Sequence, residues 1–573
     1  MATVRTDEMS YQSLPGRHTE ASAARTDIAV ITRDQELART ISLNLLRDET
    51  VTSTKITTPT APSFSATAFV VYLPDLSDSG MAPELGEADD VFAKCAAARV
   101  KRFILVSSAL VYDASFRNPG LMVESKPLPK DLKRVGIASR WRTLEGAARG
   151  YFNGEQLTIL RCVTLLSPQS ANCIVKSLRR RVTFSPAGRD PSFQLLSPSD
   201  LARAIECVLK SNVTGIFNVA PDGVVPFRRA LKQAGTRRIP TPRTFLTLGD
   251  VLRGKSTSSP LDFKCYSWTV SNEKIKAIGF KPRLTSARAL REFCLLHHIP
   301  HDSRHCPEFE QFDEFGMDPS YIAAYGRTLF QFLGDWYWRI EARGIENIPT
   351  HGRAVLAGTH RGFMPWDGVM ALDLIVKRIG RYPRFLIHPG LVKFPFLANF
   401  MTKLGGIIAC QENAKRILEN DELLGVFPEG IQGAFTKYTR AYQIHDFHRD
   451  AFVKMALRHR APIVPFVTVG SAEIFPILAK VKSRLWTKYS DWPEFPITPT
   501  FPLIPLPLPS KWHTRFLPPI HVEKEHPPSA AADAAVVRAI SCEVRNRMQT
   551  AIDGMLRKRR SIFFGSVFPK EAE

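Results

Sequence analysis

At 573 residues the chain is too long for one hydrophobic core, and a prior of roughly 100–200 residues per domain points to two or more. Its composition is that of an ordinary globular protein, and the formal net charge of +22 at pH 7 directs it towards nucleic acid, anionic lipid headgroups or acidic small substrates without choosing among them. No run of about 18 or more apolar residues occurs, which argues against a spanning helix. The longest uncharged stretch, Phe495 to Pro509, carries six prolines that would break a helix within a bilayer.

Nine cysteines, from Cys95 to Cys542, lack the paired spacing of a disulfide framework or a CxxC clip, which suits a reducing, cytoplasmic setting. Residues 1–26 are polar and carry no apolar core stretch. They are expected to form a disordered tail rather than a signal or transit peptide.

From 27 to 300, short apolar runs alternate with helical patterns, the signature of an α/β domain with a parallel sheet. Ile28–Ile31, Ala68–Tyr72 and Phe103–Val106 are its clearest strands, and 91–100 has helical spacing. Residues 301–319 are hydrophilic and read as a linker. Beside or within that segment lie Cys294, His297, His298, His301, His305 and Cys306, residue types of a zinc site in a spacing that fits no zinc template. The expectation is a histidine-rich linker and no metal.

A second domain is expected over 320–565. Apolar positions Ile322, Tyr325, Leu329, Leu333, Trp336 and Ile340 recur at helical spacing, which suits a helix packed on that domain or resting among lipid headgroups. Strands follow at 354–358, 385–387, 406–409, 424–427 and 463–469. A helix runs from Pro365, a residue suited to a first turn, to Ile379, with Gly380 placed to stop it. Near the end, Val537, Ile540, Val544, Met548, Ile552 and Met555 share one helical face, before a basic run at 557–560 and Phe563 and Phe564. Such an end suits either a core-facing helix or an anionic bilayer.

The chemistry sits in Gly358-Thr-His-Arg-Gly-Phe-Met-Pro-Trp-Asp-Gly368. His360 falls on a strand-to-helix loop and Asp367 in the first helical turn, where free backbone N–H groups favour a carboxylate. The loop can fold the two together. A carboxylate on one ring nitrogen fixes the tautomer and leaves the other nitrogen able to take a proton from a hydroxyl. Farther on, Phe427-Pro-Glu-Gly430 ends an apolar strand, placing Glu429 near polar groups of a substrate at the strand's C-terminal edge. Ala461 to Pro465 leads into another buried strand.

These elements, in this order, resemble the glycerolipid acyltransferase superfamily, which includes the lysophosphatidate (1-acylglycerol-3-phosphate) acyltransferases, over Tyr337 to the C-terminus. The resemblance implies His360 as base and Asp367 as its orienting partner. Arg361, Phe427, Pro428, Glu429 and Gly430 would contact the acceptor, and Ala461 to Pro465 would shape the acyl side. It also implies an acyl thioester of coenzyme A or acyl carrier protein as donor. Two departures stand out. Six residues separate His360 from Asp367 where the family has four. Gln411 and Glu412 stand where many relatives place a phosphate-binding arginine, leaving Lys403, Lys415 or Arg416 to replace it or the acceptor to be a neutral glyceride or another hydroxylated lipid.

The segments Val100 to Tyr112, Leu157 to Arg161 and Gly215 to Ala220 resemble the extended short-chain dehydrogenase/reductases, the epimerase-like Rossmann branch, over about Asp27 to Cys294. Yet Arg33-Asp-Gln-Glu-Leu37, after the first strand, has no glycine to admit a dinucleotide pyrophosphate. The region that should hold the family's Tyr and Lys reads Val135-Gly-Ile-Ala-Ser-Arg-Trp141, leaving Ser107 and Ser108 without partners. The expected fold is thus an N-terminal Rossmann-like doubly wound parallel sheet that has lost redox chemistry and NAD(P), joined to a C-terminal α/β glycerolipid acyltransferase domain.

The expected function is O-acyl transfer to a glycerolipid or lysophospholipid hydroxyl, by an enzyme of the cytoplasm lying on the membrane surface, with no bound cofactor, no metal and no nucleic acid. Two other readings fit the residues: an inactive lipid-binding scaffold, and an oxidoreductase using the front domain.

Overall fold

The computed structural model describes residues 26–569 except 48, 50, 61, 63–68, 77–80, 129–135, 168–171, 253–260, 298–311, 448–449 and 502–505. The proposed tail and most of the linker and of the His/Cys cluster therefore lie outside the described residues. Of that cluster, Cys294 is buried and the His297 ring rests on Phe293.

The first half is built on β1 (Thr26–Ile31), β2 (Val51–Thr57), β3 (Phe69–Tyr72), β4 (Arg102–Ser108), β5 (Leu157–Cys162) and β6 (Gly215–Val219). They form one sheet in the order β6-β5-β4-β3-β1-β2, parallel throughout. The inner strands β1, β3, β4 and β5 are buried on both faces because helices cover both, while the edge strand β2 is polar and for the most part half-buried or exposed. One layer pairs α1 (Gln35–Leu45) with the helix Pro198–Ser211, the other pairs α2 (Leu85–Ala97) with α3 (Ile137–Tyr151). This is a Rossmann-like, doubly wound sheet, and the chain reverses its winding at β1 and β3, where such folds leave a crevice at the strands' C-terminal ends.

The second half carries β7 (Glu341–Arg343), β8 (Ala354–Gly358), α4 (Trp366–Ile379), β9 (Arg384–Ile387), β10 (Ile407–Ile408), α5 (Gln411–Glu419), β11 (Leu423–Val426) and β12 (Ile463–Val469). After these come β13 (Ala479–Val481), α6 (Arg484–Ser490), β14 (Phe495–Ile497), β15 (His513–Phe516) and α7 (Ala534–Lys558). A seven-stranded sheet runs β7-β15-β12-β8-β11-β9-β10, antiparallel only between β12 and β15. Alternation along β8 divides the core: Val355 and Ala357 join the layer under α7, and Ala354 and Leu356 face the layer under α4. The α7 face expected from spacing, Val537 to Met555, packs on this sheet, while Phe563 and Phe564 beyond it are exposed.

One expectation is corrected. Residues 321–340 do not make a continuous helix: Pro319–Gly326 is followed by a short turn at Leu329–Gln331 and a π-helical turn over Phe332–Tyr337. The apolar period does not survive the breaks: of its members only Ile322 and Leu333 are buried, because the irregular turns re-aim the side chains after Gly326. Phe330, Leu333 and Trp338 are buried, and Phe332 and Trp336 point to solvent.

The halves meet along a polar seam. Arg189 donates to the carbonyls of Val392 and Lys393, Lys403 approaches Asp190 at 3.6 Å, and Arg416 reaches Glu273 and the Leu121 carbonyl. Trp338, fully buried, stacks on Trp512 with ring centroids 4.5 Å apart. Trp338→Ala is expected to cost about 3–5 kcal/mol, read as a lower denaturant midpoint with an unchanged far-ultraviolet dichroism spectrum under native conditions.

Candidate active site

Pairing of Ala354 with Leu423 and of Ala357 with Val426 brings the C-terminal ends of β8 and β11 side by side, so the loops 359–365 and 427–430 emerge as neighbours. Two glycines make the first loop possible. A Cβ on Gly358 would lie 2.1 Å from the Phe466 ring, and Gly362 turns the chain at φ +65, a conformation L side chains rarely adopt.

The turn folds His360 back onto α4. Its Nδ1 lies 3.1 Å from Oδ2 of Asp367, and the same oxygen accepts the Arg361 N–H at 2.8 Å. The Asp367 side chain is fully buried, whereas 14% of the His360 side chain remains accessible. The imidazole is thus anchored on one nitrogen and open at its edge. The Phe427 ring packs 5.1 Å from the imidazole and stacks on Phe385 behind it, giving the imidazole an apolar wall on that side.

Arg361 and Glu429 are turned into each other. Nη1 to Oε2 is 2.7 Å, and both side chains are 2% exposed. The guanidinium also donates to the carbonyls of His360, Gln443 and Ala441, and the His445 N–H completes the carboxylate at 2.8 Å. The sequence placed these two charges at the substrate. The structure closes them over the loops instead, because two opposite charges enclosed in protein satisfy each other before either can serve a ligand.

The loop that receives Arg361, residues 438–445, is itself pinned. Tyr442 donates to Glu473 at 2.6 Å and accepts from the Gly470 N–H; Arg559, past the end of α7, bonds both Glu473 and Tyr442. Burial, and then the Glu473 charge, hold the Tyr442 phenol well above its ordinary titration range. Gln549 of α7 bonds the Ile444 N–H and the Tyr442 carbonyl. Sequence reasoning passed over this group. The one signal was a carboxylate, Glu473, among apolar neighbours in Ser471-Ala-Glu-Ile-Phe475.

The cations considered for an acceptor phosphate are engaged elsewhere. Lys403 faces Asp190 and lies over the Tyr321 ring, Arg416 belongs to the seam between the halves, and Lys415 approaches Glu419 on an exposed face of α5.

In the front half the switch-point crevice is a cavity of about 660 Å³ lined by Thr32, Asp34, Ser107, Ser108 and Trp141, among others. Where a glycine-rich turn would admit a pyrophosphate, Asp34 caps α1 through the Leu37 N–H and Arg33 is clamped between Asp75 and Glu87. Ser107 donates to the buried Glu145, and the Trp141 indole donates to the Met81 carbonyl. These groups are used in holding the domain together. Among the described residues there is no group of His, Cys, Asp and Glu fit to hold a metal ion.

Fold and site together define a two-part α/β protein, Rossmann-like in front, with a His–Asp pair at adjoining strand ends behind. The acyltransferase family model matches residues 339–469. Uncharacterized proteins of Mycobacterium tuberculosis and Mycobacterium leprae are each 38% identical, over 262 and 260 residues, with 44% of this chain and 72% and 70% of theirs covered. A human DGAT1/2-independent enzyme synthesizing storage lipids is 26% identical over 168 residues, 29% of this chain and 51% of that one. Among solved structures, MoeE5 in complex with UDP-glucose and NAD matches over 48% of this chain and 99% of its own, at 15% identity and a TM-score of 0.35. Human epimerase family protein SDR39U1 with NADPH matches over 47% and 99%, at 16% identity and a TM-score of 0.36. The second half of the chain carries a domain of the acyltransferase family, over residues 339–469.

Removing one partner of the Arg361–Glu429 pair leaves a buried charge alone. Glu429→Leu is expected to destabilise the protein by about 3–5 kcal/mol. Adding Arg361→Met should recover part of that loss, a coupling that a double-mutant cycle in denaturant would measure.

Proposed function

We propose that the protein transfers a fatty acyl group from a thioester of coenzyme A or acyl carrier protein to a hydroxyl of a glycerolipid at a membrane surface. The observation that carries this reading is the His360–Asp367 contact at 3.1 Å on a loop beside an apolar wall. With Nδ1 held by the carboxylate, Nε2 is the nitrogen that faces an acceptor hydroxyl. It takes the hydroxyl proton as the oxygen attacks the thioester carbonyl. A carbon–oxygen bond forms, the tetrahedral intermediate collapses, the carbon–sulfur bond breaks, and the imidazolium returns its proton to the departing thiolate.

A neutral glyceride or another uncharged hydroxylated lipid is the favoured acceptor over a lysophosphatidate. Lys403 and Arg416 already face carboxylates across the seam between the halves, and Lys415 lies out on α5. The human relative's description as an enzyme of storage-lipid synthesis points the same way. Among the described residues no helix is long and apolar enough to cross a membrane, so contact with lipid is assigned to the surface. Phe427, with Pro428 and Gly430 after it, borders the acceptor side, while Arg361 and Glu429 fix the loop geometry.

The test is thioester consumption with a panel of diacylglycerol, monoacylglycerol and lysophospholipid acceptors. His360→Ala should lower turnover by roughly 10²–10⁴-fold, the usual contribution of a positioned base. Asp367→Asn, which removes the charge while keeping the size, should lower kcat more than it raises KM. Turnover unchanged in His360→Ala would remove the mechanism.

A further inference from the structure

A groove of about 990 Å³ opens where the two halves meet, at a distance from the His–Asp loop but joined to it by packing. The second half lines it with Lys393, Lys482, Arg484 and Lys488, the first with Phe116 and Arg117. Its one carboxylate, Asp491, is engaged by Arg117. The four remaining cations have no carboxylate partner among the described residues, so the groove is electropositive throughout.

An apolar stripe runs beside those charges. On α6, Leu485 is 82% exposed and Tyr489 67% exposed, and their i, i+4 spacing sets them on one face next to Lys488. Leu478, just before β13, and Val481, at its end, are exposed as well. In contrast, Trp486 turns inward, against Phe495 at 4.8 Å and Trp492 at 5.8 Å. Trp492 in turn packs 5.8 Å from Phe363, three residues after His360. The exposed element and the loop bearing the site thus share one aromatic layer.

Resting on the lipid reading above, we propose that this groove and the outer face of α6 dock the protein on an anionic phospholipid bilayer. Headgroup phosphates meet the four cations, and Leu485 and Tyr489 enter the boundary between headgroups and acyl chains. A soluble phosphate compound would meet the cations and leave the leucine and tyrosine in water. A bilayer offers both phases at the required spacing, which is why lipid is chosen. The front domain has a physical part in this: Arg117 neutralises the groove's carboxylate, and the Phe116 ring lies under Lys393 at 5.0 Å.

The experiment is co-sedimentation of the full chain with vesicles of equimolar phosphatidylcholine and phosphatidylglycerol, or of phosphatidylcholine alone. Wild type should bind the anionic vesicles, more weakly as salt rises, and His360→Ala should bind equally. Lys482→Glu/Arg484→Glu/Lys488→Glu should weaken partition by roughly a hundredfold, given about fivefold per cation. Leu485→Ser should weaken it at unchanged charge. Both variants should keep wild-type turnover of a short-chain thioester with a detergent-dispersed acceptor. Loss of vesicle binding in both variants, even if no acyl transfer is found with any acceptor, upholds the docking surface and removes only the function it rests on. Wild-type vesicle binding by the triple variant overturns it, as does a triple variant that loses binding to an acidic carrier protein and none to vesicles.

Discussion

One buried ion pair organises the acyltransferase half. Arg361 directly follows His360; its N–H donates to Asp367, and its guanidinium bonds the His360 carbonyl and Glu429 together. A single residue therefore ties the loop after β8, the first turn of α4 and the loop after β11. Enclosing two charges costs several kcal/mol per ion, and the attraction between them offsets this only when the remaining polar atoms are also satisfied. Here the Ala441 and Gln443 carbonyls and the His445 N–H supply those bonds. The pair adds little net stability by this reasoning. What it supplies is a single permitted geometry around the imidazole.

That requirement spreads the site well past the family match at 339–469. The carbonyls that receive Arg361 belong to a loop held by Tyr442, Glu473 and Arg559, with Gln549 of α7 bonding its backbone. The long C-terminal helix thus does two jobs. Its apolar face closes the core layer under β8 and β12, and its polar edge fixes the loop beneath the ion pair.

Much of this architecture was legible in the residues. Strands fully buried on both faces read as apolar runs, and α4 showed its start in Pro365 and its stop in Gly380, which takes φ +75. The pairing of His360 with Asp367 followed from a strand-to-helix turn alone. Contacts between residues far apart in sequence were not legible. Nothing local in Arg361 or Glu429 shows that they close on each other across 68 positions, nor that Arg559 reaches back to Glu473. The segment 321–340 misled because the turns after Gly326 abandon the helical period, so that Phe330 and Trp338 reach the core and Trp336 does not.

The front domain turns the groups at its switch-point crevice towards one another. Its cavity wall has been given to internal contacts: Arg33 to carboxylates, Ser107 to Glu145, Trp141 to a carbonyl. Its edge meets the other half through charges placed where that half leaves backbone groups open. Arg189 donates to the carbonyls of Val392 and Lys393, at the end of the helix Pro389–Lys393, where carbonyls lack intrahelical partners. Burial raises the neighbouring Asp190 carboxyl above its usual range, while the Arg228 N–H and Lys403 oppose the shift. An arginine supplied by one half and completing a helix of the other is a constraint on both. It keeps Lys393 in place beside Phe116 and holds the edge of the front domain against the other half.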